Sequence, residues 1–418
     1  MVHDYGSSNK TGWVMRMTTR TTFTTSRLLE FCTVAELTKL VGFGPANWPV
    51  VAIKELIDNA LDAAEEAQIA PEITVTISTK KNTITVADNG PGIPVDTVVR
   101  LLDYRTKTSS REAYVAPTRG AQGNALQSLL AMAFVMEGSQ GKTTIQAVGM
   151  NHEIVFGIDP VRRKPKIEHT QEPASVQFGT SFTLHWPDLA GSQLDEAKAE
   201  IVSVVSRFAW LNPHAAFNLT WDGDALYTAS ATDPDWHKWR PSDPAPAAWY
   251  DAESFNRLIA AYVAHDQDHG RDRTVRDFIA EFRGLTRTDT RAQILDDVGA
   301  ARMSLGEFFA KPNSAVKLLA RMQESTKPVA AGDLGLLGKD HFIARFGEMN
   351  VDSPTFQYKR ALLDIDGVPY AIDAAAAAKR ARSMRSAATS RKPCWMPRRR
   401  SGRSRRSMSS TRTASRRA

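Results

Sequence analysis

The sequence predicts an α+β protein, and three observations carry that prediction. An amphipathic helical stretch runs from Asn47 to Ala67. A short alternating run, TITV at Thr83 to Val86, is cut off by Asp-Asn-Gly-Pro-Gly. After a second apolar helical stretch the pattern returns to strand-like runs, TTIQAVG, HEIVFGI and GTSFTLHW, ending near Pro187. At 418 residues, 42% of them hydrophobic, the chain holds enough apolar material for two to three domains.

The amino-terminal stretch before Phe23 has no apolar core of signal-peptide length, and no run of about 18 apolar residues follows anywhere. The expectation is a cytoplasmic chain without a membrane span. Cys32 and Cys394 lie too far apart for a metal-ligand spacing, so Cys32 is expected to be core filler.

In the first helix Pro49 suits the opening turn. At 100° per residue Val50, Ile53, Leu56, Ile57, Ala60, Leu61 and Ala64 share the core face, while Glu55, Asn59 and Asp62 fall together on the opposite side. On an arbitrary helix such a trio is simply solvated. Here it joins a carboxylate that can orient a water to an amide oxygen that can ligate a hard cation such as Mg²⁺. A strand ending in Asp88 follows, pointing its carboxylate into space that Gly90 and Gly92 keep open by having no Cβ. A polar hairpin turn is the other reading of VADNGPGIP. Next, LLDYRTKTSSREAYVAP, flanked by Arg119 and containing Lys107, suits a mobile lid over a charged ligand. Gly120 and Gly123 then precede the apolar stretch ALQSLLAMAFV, where backbone amides at a helix start can cradle phosphate oxygens.

The net charge of +7 is not uniform: Lys379 to Ala418 holds 15 Lys and Arg and no acid, which subtracted from +7 leaves the rest of the chain at −8. This tail of Arg, Ser, Thr and Ala cannot bury enough apolar surface to fold. Two readings stand for it, a nucleic-acid-binding arm that neutralises phosphates, or an ending displaced by a shifted reading frame.

Taken in order, KELIDNALDA, VADNGPGIP, RGAQGNA and GTSFTL resemble the four nucleotide-binding boxes of the ATPase superfamily shared by gyrase, the heat-shock chaperones, sensor histidine kinases and mismatch-repair proteins. The glutamate of ELIDNALDA is one the kinases lack, and LNPHAAFNL, Leu211 to Leu219, resembles the close of the ATPase domain in the B subunit of DNA topoisomerase VI. Trp249 to Pro328 is similar to that subunit's small helical domain, and DLGLLGKDHF, Asp333 to Phe342, to its linker into a transducer domain. The likeness covers about Phe23 to Asp373 and is strongest in the first boxes.

What the resemblance implies is an N-terminal arm at 1–22, then a Bergerat-type ATPase domain, a mixed β-sheet layered with helices, at 23–225. A helical domain with two turns between helices at 245–330 and a partial α/β transducer at 333–373 complete it, and the composition read above makes 379–418 a disordered basic tail. It implies ATP and Mg²⁺ as cofactors, homodimerisation on ATP binding, and DNA and a DNA-cleaving topoisomerase VI A-like subunit as partners. The chain would then be nucleoid-associated when DNA-bound. The alternative is a nucleotide-dependent clamp or chaperone-like protein on the same fold without strand passage; an inactive ATP-binding remnant is a third.

Residue by residue, the resemblance makes Glu55 the general base, Asn59 the Mg²⁺ ligand and Asp88 the acceptor for the adenine amino group, with Gly90 and Gly92 giving room for the base. Thr106 and Lys107 match lid positions near the phosphates. Gly120, Ala121, Gln122, Gly123, Asn124, Ala125, Leu126 and Gln127 match the phosphate loop, and Thr180 supports the adenine pocket. Ala125 stands where the family carries a glycine, which bears on hydrolysis more than on binding. Lys339, Lys359 and Lys379 sit in no context that identifies the family's switch lysine. In ALLDIDGVPYAID, Asp364 and Asp366 admit a metal-binding pair, but a hairpin turning at Asp-Gly fits better.

Overall fold

The computed structural model describes residues 31–104, 114–115, 125–159, 164–240, 242–268, 270–349, 351, 353–365 and 367–378. All of them belong to the first of two units, Met1–Ala378; the second is the basic segment Lys379–Ala418, so the readings of that tail lie outside the described residues.

The chain opens with α1 (Val34–Val41), whose N-cap Thr33 accepts a hydrogen bond from the Glu36 amide and whose C-cap Gly42 takes a left-handed φ of 77°. Then α2 (Trp48–Glu66) carries Pro49 in its first turn and buries Trp48, Val51, Ile53, Leu56, Ile57 and Leu61. Each large apolar side chain so buried contributes about 1.5–3 kcal/mol. Strands β1 (Glu72–Ser78) and β2 (Thr83–Asp88) form a hairpin, and the short α3 (Val95–Leu101) follows. After α4 (Ala125–Glu137) come β3 (Gln140–Ala147), β4 (Met150–Asp159), β5 (Lys164–Pro173) and β6 (Thr180–His185), then α5 (Ser192–Leu211), β7 (Ala216–Trp221) and β8 (Asp224–Ala229).

These eight strands make one mixed sheet in the order β5-β4-β3-β6-β2-β1-β7-β8. The neighbours are antiparallel except β1 and β7, which run parallel with Glu72 opposite Ala216. One face is apolar and covered by α1, α2, α4 and α5 in a single core; Val75, Ile84, Ile145, Ile154, Phe182 and Leu219 come from the strands. The other face is lined by threonines that bond across strands, Thr85 to Thr183 at 2.9 Å and Thr220 to Thr76 at 3.1 Å. Alternation of period two thus sorts apolar from hydroxyl side chains, as a sheet wetted on one side requires.

A second core lies farther along, in α6 (Ala252–Asp268), α7 (Val275–Ala280), α8 (Thr288–Val298), α9 (Leu305–Phe309) and α10 (Ser314–Ser325), around Phe255, Phe278, Phe282 and Leu318. Beyond it α11 (Lys339–Gly347) precedes an antiparallel pair, β9 (Gln357–Ile365) and β10 (Val368–Ala376). Asp364 Oδ1 accepts from the Gly367 amide at 3.0 Å, so its carboxylate serves the hairpin turn; Asp366 lies outside the described residues. The hairpin is fastened to the linker through Asp373, whose Oδ2 accepts from the Leu337 amide at 3.0 Å.

Candidate functional site

The periodicity that buries one face of α2 turns Lys54, Glu55 and Asn59 outward. Lys54 Nζ sits 2.9 Å from Glu55 Oε1 and 2.9 Å from Asp58 Oδ2. Burial works against the ammonium, but these bonds outweigh it and raise the Lys54 pKa. Sequence reading left Lys54 out, although its i, i+4 spacing to Asp58 was a visible signal. Asn59 Nδ2 donates to the Glu55 carbonyl at 2.9 Å, which turns its amide oxygen away from the helix backbone.

Asp88 ends β2 under two restraints: its Oδ1 accepts from the Gly90 amide at 2.9 Å and from the Thr180 amide at 3.2 Å. Among the described residues both bonds fall on Oδ1, and Oδ2 accepts none. Burial pushes the Asp88 carboxyl above the ordinary aspartate value, against the lowering effect of the two amides. Asn89 is a structural clasp, bonding the Ala70 carbonyl and the Glu72 amide.

Three glycines let the backbone close up here. A Cβ on Gly179 would lie 1.8 Å from the Asp88 carbonyl oxygen, and the Gly179 amide donates to the Gly90 carbonyl at 2.7 Å. Gly92, at φ +83°, has Val148 and the Gly179 carbonyl where a Cβ would go. At Gly90 a Cβ would meet Asp88 Oδ1 at 3.0 Å and Ala63 Cβ of α2 at 3.7 Å. The strand end is therefore packed against α2 near Ala63, and Glu55 lies two turns back, about 12 Å along the helix axis. Nothing local in GTSFTL signals this role for Gly179, because its partner Asp88 is 91 residues away in sequence.

Thr180 takes part through its backbone N–H. Ala125 is the first residue of α4 and is absent from the residues with positive φ, so its methyl group costs the backbone nothing there. Leu126 is half-buried beside it. Gln127 faces inward: its Nε2 donates to the Asp103 carbonyl at 3.2 Å, and its own carbonyl accepts from Tyr104 Oη at 2.9 Å. Its side chain thus ties α4 to the end of α3. Thr106, Lys107, Gly120, Ala121, Gln122, Gly123 and Asn124 lie outside the described residues. Cys32 is half-buried against the core, with burial pushing its thiol up to about 12, which suits filler and not a nucleophile. Lys339 and Lys359 are both exposed, and no group of three or more His, Cys, Asp or Glu that could hold a metal occurs among the described residues.

The site thus has a carboxylate with an open acceptor, a strand end that three glycines let pack against neighbouring backbone and α2, and a helix bearing an amide and a carboxylate farther on. Residues 45–190 match the family described as histidine kinase-, DNA gyrase B-, and HSP90-like ATPase. The B subunit of type 2 DNA topoisomerase 6 from Natronomonas pharaonis is 30% identical over 204 residues, covering 47% of this chain and 24% of that protein. Its counterpart in Archaeoglobus fulgidus is 30% identical over 176 residues, 41% of this chain and 29% of that one. The DNA mismatch repair protein MutL of Lacticaseibacillus casei is 30% identical over 186 residues, 43% of this chain and 26% of that one. The matches span about a quarter of the length of these relatives. Among the described residues no helix is long and apolar enough to cross a membrane.

Proposed function

We propose that this chain, whose residues 45–190 match the histidine kinase-, DNA gyrase B- and HSP90-like ATPase family, is the ATP-binding B-type component of a topoisomerase VI-like assembly. The observation that carries the nucleotide part is Asp88: a half-buried carboxylate, oriented through Oδ1, with Oδ2 left to accept from the amino group of adenine. Gly90, Gly92 and Gly179 let the chain close up around Asp88 and so hold that carboxylate in place.

The residues present also fit Mg²⁺. Asn59 offers one hard oxygen on an exposed helix face, and a cation held by phosphates and water needs few protein ligands. Mg²⁺ would neutralise charge on the phosphates. Glu55, on the same face, would accept a proton from the attacking water once it parts from Lys54; the ammonium would then keep its bond to Asp58. ATP-driven dimerisation, DNA and a separate DNA-cleaving A-like subunit complete the reading. Similarity at the same 30% identity to a mismatch repair protein supports the alternative, a nucleotide-dependent clamp on the same ATPase domain.

The test has two parts. Titration with a fluorescent ATP analogue should show Mg²⁺-dependent binding that Asp88→Asn weakens about tenfold or more, because a charged acceptor is replaced by an amide that can present its own donor. Equal affinities would remove the adenine role. Plasmid relaxation separates the assembly from the clamp: the chain alone should neither cut nor relax DNA, whereas relaxation with an A-like partner should require ATP. Relaxation by the chain alone would overturn the assembly reading.

A further inference from the structure

The hairpin of β9 and β10 is held by one face only. On that face the Tyr358 ring packs on Phe342 of α11 with centroids 5.9 Å apart, and Asp373 accepts from Tyr358 Oη at 2.6 Å, from Arg360 Nε at 2.7 Å and from the Leu337 amide. The register sets Ile365 opposite Val368, Leu363 opposite Tyr370 and Ala361 opposite Ile372, all on the other face. There Ile365, Val368, Leu363, Tyr370 and Ile372 are each between 38% and 53% exposed, and no element covers them among the described residues. Ala361 and Ala374 continue the patch, and its one charge is Lys359, opposite Ala374 and far from the turn. The face amounts to roughly 500 Å², large for an apolar patch on a soluble chain. A two-stranded pair gains little stability until such a face is buried.

We propose that this face is a contact between two copies of this chain, packed hairpin on hairpin and formed without nucleotide. Three observations select a second copy. The face is its own complement: a two-fold axis crossing the strands lays apolar side chains on apolar side chains and keeps the two Lys359 ammonium groups at opposite ends. Two copies bury roughly 1,000 Å² in all, enough for a specific but weak contact. The stretch that follows β10, Lys379 to Ala418, carries 15 Lys and Arg, no acid and no apolar pattern of helical or strand period, so its composition does not suit the face.

The measurement is sedimentation equilibrium of the full chain without nucleotide, over a wide range of concentration, with a melting curve for each variant. Wild type should show a monomer–dimer equilibrium. Leu363→Lys and Ile372→Lys each put a cation in the middle of the face, where it meets its own copy, and should weaken the dimer about a hundredfold or more. Leu362→Lys is the control: Leu362 is as exposed as Leu363 but lies on the opposite face, so the dimer should stay within about twofold of wild type. All three side chains are exposed in the single chain, so the melting of dilute protein should not move. A wild type that stays monomeric would give the face to a different partner and overturn the proposal. A dimer that forms only with ATP, one that Leu363→Lys and Ile372→Lys both keep, or one that Leu362→Lys breaks as strongly would overturn it too.

Discussion

Asp88 answers two conflicting demands. Its Oδ2 serves a ligand only as a carboxylate, yet burial favours the acid and raises its pKa in the folded chain. A folded pKa above the unfolded one means that protonation adds stability fully below the ordinary aspartate range, and that this is lost as pH rises through the raised value. Asp88→Asn keeps an acceptor for the Gly90 and Thr180 amides and carries no charge. In urea unfolding the variant should therefore be more stable than wild type at pH 7, with the gap narrowing as pH falls through the raised value into the ordinary aspartate range. A constant gap would show that charge is not the cause. Glu55 poses the opposite case. Its pair with Lys54 is surface-exposed and contributes little to stability, so Glu55→Ala should leave melting and ATP affinity nearly unchanged. Hydrolysis should drop about 10²- to 10⁴-fold, the usual weight of general-base assistance. Turnover equal to wild type would make Glu55 a solvated helix residue.

At the scale of elements, tight backbone approach decides more than propensity. Gly179→Ala drives a methyl group into the Asp88 carbonyl at a positive φ and should cost about 3 kcal/mol, near the upper end for overpacking. Gly42→Ala at the end of α1 meets nothing within 4 Å and should cost about 1 kcal/mol, for its φ of 77° alone. Chemical denaturation of both variants checks the contrast; equal losses would mean that the strand end can move aside. These two glycines also mark what the sequence discloses. The α2 faces and the end of β2 are written in local periodicity and turn chemistry, and the boundaries expected for that helix fall within a residue of those found. The clamp of Gly179 on Asp88 is not, because it joins residues from β2 and the start of β6 that only sheet pairing brings together. Gln127 shows the converse: its place in the glycine-rich motif suggested phosphate contact, while its burial and its bonds to the chain after α3 depend on tertiary packing that no local pattern encodes.

For the whole molecule, the pairing of β1 with β7 matters most. The stretch matched by the ATPase family ends at residue 190, yet the sheet runs on to Ala229, and β7 and β8 extend it beyond β1. No motif announced that β1, apolar on its core face, would lie in the sheet interior instead of at its edge. During synthesis, Glu72 leaves the ribosome 144 residues before its partner Ala216. At about 5–20 residues per second that is on the order of 7 to 30 seconds in which one side of β1 has no neighbour. An unpaired edge beside an apolar face is a template for another chain. A fragment of residues 31–190 should accordingly scatter light and elute as aggregate, whereas one of residues 31–230 should stay monodisperse. The last two strands of the sheet thus close an edge of β1 that residues 31–190 alone would leave open to another chain.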